Sequence, residues 1–252
     1  MRVNPDSPIL NLLIFPMKNF LLVFLSLLTI SASSCMSGTP LTKLHYLVRE
    51  PKVSSSTPPL IVLLHGVGSN EEDLFSLANN LPERFLVVSA RGPVTLGTGS
   101  YGWYHLDMST GKIVYDKAEA EKARLTIIQF LQDLKAEHPY DASQVYLMGF
   151  SQGSIMSLSV ALTRPDLIKG AAIMSGRLLE EIKPLINKGT ALSKMKIFIS
   201  HGTNDPVLNI SQARSCVQFL KGNNLNPEYH EYPEQHTISN AMFQDMLKWL
   251  NK

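Results

Sequence analysis

Hydrophobic positions in this chain fall into short continuous runs, separated by stretches with helical spacing. LIVLL (60–64), RFLVVSA (84–90), QVYLMG (144–149), GAAIMS (170–175) and KIFIS (196–200) lack sustained polar alternation. Runs of this kind are predicted as parallel strands covered on both faces. PEYHEY (227–232) reads as a further strand, and LTKLHYLVRE (41–50), with partial alternation, as an edge strand. Helices are predicted over 71–80, from Asp116 to about His138, and over 152–163, 210–222 and 238–250. Ser69 with Glu72 and Asp116 with Glu119 have capping-box spacing. Ile127, Ile128, Leu131 and Leu134 form one apolar stripe on the second of these helices. Strand–helix alternation implies an α/β fold: a mostly parallel central sheet, helices on both faces and right-handed crossovers. No linker-like stretch interrupts residues 60–252, which are expected to form one domain. Residues 35–59, Pro/Ser/Thr-rich on either side of the edge strand, are expected to be a tether.

The first residues have a different pattern. FLLVFLSLLTI (20–30) carries no charge, follows Lys18 and precedes the small residues Ser31, Ala32, Ser33 and Ser34. A basic flank, a short apolar core and small residues make the layout of a secretory signal. The core is too short for a comfortable membrane span, which needs about 20 residues. Ala32-Ser33-Ser34-Cys35 resembles the lipobox of bacterial lipoproteins, with Ala32 where Leu is usual. Residues 1–34 are therefore expected to be a lipoprotein-type signal peptide, starting at Met1 or Met17. Cys35 would be the lipidated first residue of an exported protein, anchored to the membrane of a bacterial cell envelope. The alternatives are cleavage near Ser33 or Ser34, with Cys35 incidental, and an uncleaved anchor.

Composition removes several classes. Lys+Arg 23 against Asp+Glu 21 leaves a net charge of +2, which gives no electrostatic reason to bind nucleic acid. A chain 44% hydrophobic and 17% charged is not disordered. Cys35 and Cys216 are the only cysteines, too few for a disulfide framework or a Cys-rich zinc site. Oligomeric state is left open.

The chemistry concentrates at Gly149-Phe150-Ser151-Gln152-Gly153, a G-x-S-x-G pattern between a predicted strand and a predicted helix. A sharp strand-to-helix turn needs small residues beside a strained nucleophile. It would lift Ser151 out of the sheet and put the Gln152 N–H at a helix N-terminus, where an oxyanion is favoured. A serine hydroxyl needs a base. In this kind of fold the chain order is serine, acid, histidine. Asp205 lies beyond the C-terminal end of the KIFIS strand, and His236 follows the last strand. Asp205 would orient His236, and His236 would take the Ser151 proton. His230 lies inside a strand. His201 reads as a packing residue, Asp166 as a helix cap, and Asp107 and Asp116 precede Ser151. In His65-Gly66-Val67-Gly68, after LIVLL, the Val67 N–H is the candidate second oxyanion donor, and His65 reads as a loop brace.

These stretches resemble the phospholipase/carboxylesterase branch of the α/β-hydrolases, which includes bacterial carboxylesterases and acyl-protein thioesterases. The likeness rests on LLHGVGSNEEDLFSLA (63–78), ARGPV (90–94), Gly102-Trp103-Tyr104, GFSQG (149–153), HGTNDPV (201–207) and His236 before a helix. It implies an α/β-hydrolase fold with Ser151, Asp205 and His236 as triad and the Val67 and Gln152 amides as oxyanion hole. It also implies a substrate-binding aromatic wall from Trp103 and Tyr104. Gln235 departs from the Gly many relatives carry before the histidine. The expected activity is serine carboxylesterase chemistry through an acyl-serine intermediate, with no cofactor or metal. Substrates would be small-molecule or lipid esters: lysophospholipids, glycerides or acyl thioesters. The alternative is a non-catalytic envelope lipoprotein using the fold as a binding module. Only residues 176–195 separate two strands where a cap could be inserted, so no separate cap domain is expected. Leu178, Leu179, Ile182, Leu185 and Ile186 there either pack on the sheet or line an acyl groove opposite Trp103. The long loops at 91–115 would form the other rim.

Overall fold

The computed structural model describes residues 43–109, 111 and 113–252, so the expected signal and Cys35 lie outside the described residues. In chain order the strands are β1 (Tyr46–Arg49), β2 (Leu60–Leu64), β3 (Leu86–Ala90), β4 (Val94–Gly97), β5 (Ser100–Gly102), β6 (Leu106–Asp107), β7 (Val114–Tyr115), β8 (Val145–Phe150), β9 (Gly170–Met174), β10 (Lys196–Gly202) and β11 (Glu228–Tyr232). The helices are α1 (Glu71–Phe75), α2 (Lys117–Glu137), α3 (Gln152–Thr163), α4 (Thr190–Ser193), α5 (Ile210–Gly222) and α6 (Asn240–Leu250).

Seven strands form one sheet in the order β1-β3-β2-β8-β9-β10-β11. Every pairing is parallel except that of β1 with β3. β1 is thus the edge strand of the same sheet, antiparallel as an edge strand can be. The apolar runs are continuous because both faces of the sheet are covered. Leu60, Val62 and Leu64 pack with α2, α3 and α5 on one side, while Ile61 and Leu63 pack with α1 and α6 on the other. This alternation is the two-residue period of a strand. Burying each such side chain contributes about 1.5–3 kcal/mol. Cys216, on α5, is a small core residue, and burial pushes its thiol up to about 12.

Helix α3 lies at the centre and is buried on all sides, although it carries three serines and a threonine. Each hydroxyl donates to a carbonyl one turn back, as in Ser154 to Ser151 (2.7 Å) and Ser159 to Ile155 (2.7 Å). Such back-bonding satisfies a buried hydroxyl without a partner element.

Several local expectations are corrected. The α1 cap is Asn70, not Ser69: Asn70 Oδ1 accepts the Glu72 N–H at 2.9 Å, and Ser69 Oγ donates to Asp73. The helix stops at Phe75, and residues 78–80 form a separate 3-10 turn. Asp116 caps α2 as the spacing indicates, but Glu119 turns away and accepts the His105 N–H at 2.8 Å. Asp166 does not cap a helix; it pairs with Arg164 at 2.7 Å. Residues 176–195 form a 3-10 turn, Glu180–Leu185, and the short α4. Leu178, Leu179, Ile182 and Ile186 sink into the core, and Leu185 is exposed, so this segment forms no acyl groove.

Candidate active site

The site begins with a backbone that only a crowded turn would keep. Ser151 has φ 51° and ψ −119°, between β8 and α3. A non-glycine residue there costs about 1–3 kcal/mol, and the surroundings must enforce it. A Cβ on Gly149 would stand 2.4 Å from Gly153 backbone atoms, and one on Gly153 would stand 1.9 Å from the Leu64 carbonyl oxygen. Neither position can carry a side chain while the turn keeps its path. The Ser151 N–H donates to the Met174 carbonyl at 3.0 Å, which ties the turn to β9.

His236 sits in the turn between β11 and α6. That turn crosses the end of β10 because Gly202 has no side chain: a Cβ there would meet the Glu234 carbonyl oxygen at 2.3 Å. The Asn204 N–H donates to that carbonyl at 3.0 Å. The Phe150 ring packs 4.9 Å from the imidazole. His236 Nε2 then lies 2.9 Å from Ser151 Oγ, and its Nδ1–H donates to Asp205 Oδ2 at 2.6 Å. Asp205 Oδ1 accepts the Val207 and Leu208 N–H groups, each at 2.8 Å. The carboxylate is therefore buried with both oxygens occupied. It holds Nδ1 protonated, which leaves the Nε2 lone pair for the serine hydroxyl. Gln235 adopts no positive φ, so its side chain costs this turn nothing.

The other histidines have structural partners. His65 is fully buried; its Nδ1–H donates to the Gly66 carbonyl (2.7 Å), and its Nε2 accepts the Gly92 N–H (2.9 Å). Burial holds its pKa below the ordinary histidine value. His201 donates through Nε2 to the Leu208 carbonyl at 2.6 Å and so closes the loop that carries Asp205. His230 lies in β11, its ring 5.5 Å from Phe198.

Val67, Tyr104, Ser151 and Gln152 line a single pocket of about 30 Å³, with Ile155 and Arg177 on its walls. Gln152 is the first residue of α3, where a helix leaves its N–H without an internal partner. Gly68, at φ 83°, turns the chain after Val67. Trp103 is not part of this wall. It is 1% exposed, and its indole N–H donates to the His65 carbonyl at 2.9 Å. The family resemblance implies a substrate contact here, yet its indole N–H finds a buried carbonyl instead. Tyr104 does line the pocket, and burial pushes its hydroxyl pKa up.

Two roles were not read from the sequence. The Gln152 side chain bridges both backbones, with Oε1 accepting the Trp103 N–H and Nε2 donating to the Tyr104 carbonyl, each at 2.7 Å. Nothing in the local pattern marks a contact across 49 residues. Arg177 could have been found, since it stands just past the C-terminal end of a parallel strand, where ligands collect in open α/β sheets.

Comparison with known proteins agrees with this architecture. The family model described as Phospholipase/Carboxylesterase matches residues 47–252. The chain is 28% identical over 235 residues to acyl-protein thioesterase 1 of Mycosarcoma maydis, covering 82% of this chain and 95% of that protein. Among solved structures it is similar to esterase PE8, with a TM-score of 0.71 and 26% identity over 83% of this chain and 99% of that one. The Bacillus cereus carboxylesterase gives a TM-score of 0.71 at 22% identity, over 82% of this chain and 93% of that one.

Proposed function

The chain belongs to the phospholipase/carboxylesterase family of α/β-hydrolases, and from that premise we propose that it is a serine esterase working through an acyl-serine intermediate. The hydrogen-bonded series Asp205–His236–Ser151 carries this reading. Ser151 Oγ attacks the ester carbonyl while His236 Nε2 takes its proton. The tetrahedral oxyanion is received by the Gln152 and Val67 N–H groups, whose residues line the same pocket as Ser151. Buried Asp205 stabilises the imidazolium cation. His236 then gives its proton to the leaving alcohol, and acyl-Ser151 remains. A water deprotonated by His236 attacks that acyl group, and the acid leaves.

Carboxylic esters are the first substrate class. The likeness to an acyl-protein thioesterase makes thioesters the second, since the same groups serve both. A fluorophosphonate probe tests the reading: it should label the wild-type protein at Ser151 and leave Ser151→Ala unlabelled. No labelling of folded wild type would favour the non-catalytic binding module instead. Export and membrane anchoring through lipid on Cys35 are a separate proposal, supported by the pattern of residues 18–35. Mass spectrometry of the mature N-terminus tests it.

A further inference from the structure

Arg177 stands three residues past the end of β9 and lines the Ser151 pocket together with apolar residues such as Leu106, Ile113 and Ile155. Its guanidinium carbon lies 5.2 Å from the centre of the Tyr115 ring. Among the described residues no carboxylate oxygen comes within 4.0 Å of it. Glu181 is the acidic residue nearby; its Oε2 accepts the Tyr115 hydroxyl at 2.9 Å, and its Oε1 is buried without a hydrogen-bond partner. Arg177 Nε is buried without a hydrogen-bond partner. A half-buried guanidinium without a direct ion pair, and with an N–H lacking a partner, has donors free for a ligand.

We propose that Arg177 is an anion-binding residue of this pocket, so that the preferred esters carry a carboxylate or phosphate, separated by a short apolar spacer from the reacting carbonyl. The proposal rests on Ser151 being the nucleophile. A guanidinium fork suits either anion, and its N–H groups would replace the water each anion loses. The apolar walls exclude a substrate that is polar throughout. The Tyr115 ring adds a cation–π contact to the same guanidinium.

The test compares 4-nitrophenyl butyrate with mono-4-nitrophenyl glutarate, which adds a terminal carboxylate to the butyryl chain. Wild type should favour the glutaryl ester in kcat/KM. In Arg177→Gln the glutaryl/butyryl ratio should fall about 10- to 100-fold, mainly through KM, the size of a lost charged hydrogen bond. Arg177→Lys should retain part of the preference. Glutarate and propyl phosphate, added as inhibitors of butyrate hydrolysis and as ligands in thermal unfolding, distinguish carboxylate from phosphate. Their Arg177-dependent effect would support the site even where the ester ratio is unchanged, and would put the anion on the alcohol side. If wild type cleaves neither ester, the esterase reading fails, and the shift in unfolding midpoint still tests the anion site. An unchanged ester ratio, together with no Arg177-dependent effect of either anion, would overturn the proposal.

Discussion

His236 Nε2 lies 2.9 Å from Ser151 Oγ, although 85 residues separate the two in sequence. The contact exists because two independent turns, one over Gly153 and one over Gly202, meet beyond the C-terminal ends of the parallel strands. Ser151→Ala should therefore lower turnover by a factor on the order of 10⁶ while the circular dichroism spectrum stays that of wild type. The hydroxyl is the only group removed, and the backbone turn is held by glycines and by the Met174 carbonyl. Near-normal hydrolysis by the folded variant would exclude Ser151 as nucleophile.

Asp205→Asn should cost roughly 10⁴ in kcat, because the wrong imidazole tautomer is favoured. An asparagine can keep its oxygen on the Val207 and Leu208 N–H groups. Its amide then faces His236 Nδ1, which must become an acceptor. Nε2 gains the proton and can no longer take one from serine. Stability should change little, so a chemical-denaturation midpoint close to wild type accompanies the loss. A kcat within tenfold of wild type would contradict this role.

Gly153→Ala is expected to give insoluble or misfolded protein. The new methyl would sit 1.9 Å from a β2 carbonyl oxygen, and backbone on both sides cannot retreat. Gly222→Ala is the control: nothing lies within 4 Å of its Cβ position, at the last residue of α5. It should fold and gain about 0.5–1 kcal/mol from helix propensity. Equal yields of soluble protein from the two variants would remove the argument for the elbow.

Most of this architecture was legible in the sequence because strands covered on both faces leave a signal that needs no long-range information. LIVLL reads as a strand whichever neighbours it has. The Ser151 turn was legible for the same reason, since both glycines that permit it lie within two residues. Contacts made between distant segments were not. Trp103 reads as a pocket aromatic until the His65 carbonyl is seen to take its indole N–H. Gln152 reads as an oxyanion amide, and its side-chain bridge to residues 103 and 104 appears only in three dimensions. The cap at Asn70 rather than Ser69 is a choice between adjacent polar residues, which spacing alone does not decide.

Glu71 is buried at the start of α1 and holds Arg91 through both carboxylate oxygens, one of them 2.5 Å from Arg91 Nε. The hydrogen bonds to the guanidinium keep the Glu71 pKa below the usual carboxylate value. A depressed folded-state pKa stabilises above the unfolded value and is lost as pH falls through the folded one. Wild type should therefore lose stability on acidification below the ordinary carboxylate range. Glu71→Gln should be less stable by about 2 kcal/mol near neutrality, with a shallower acid slope. Parallel acid-denaturation curves for the two proteins would show that this pair contributes nothing.

The Ser151 pocket also limits the substrate. Its walls come from the β6–β7 hairpin, α3, the loop after β10 and the single residues Val67, Tyr104 and Arg177, and residues 176–195 add no cap among the described residues. Nothing there resembles a lid that an oil–water interface would have to open. Turnover of soluble esters should begin without a lag and rise smoothly with concentration through the solubility limit. Each methylene buried should raise kcat/KM by about 0.8 kcal/mol while the pocket still has room. A pocket of about 30 Å³ runs out of room early. A 4-nitrophenyl ester series should climb through the short acyl chains and then flatten or fall, with the palmitate well below the butyrate or hexanoate. Activity that appears only above the solubility limit, or that keeps rising to palmitate, would mean that an interface opens a longer groove than these walls allow.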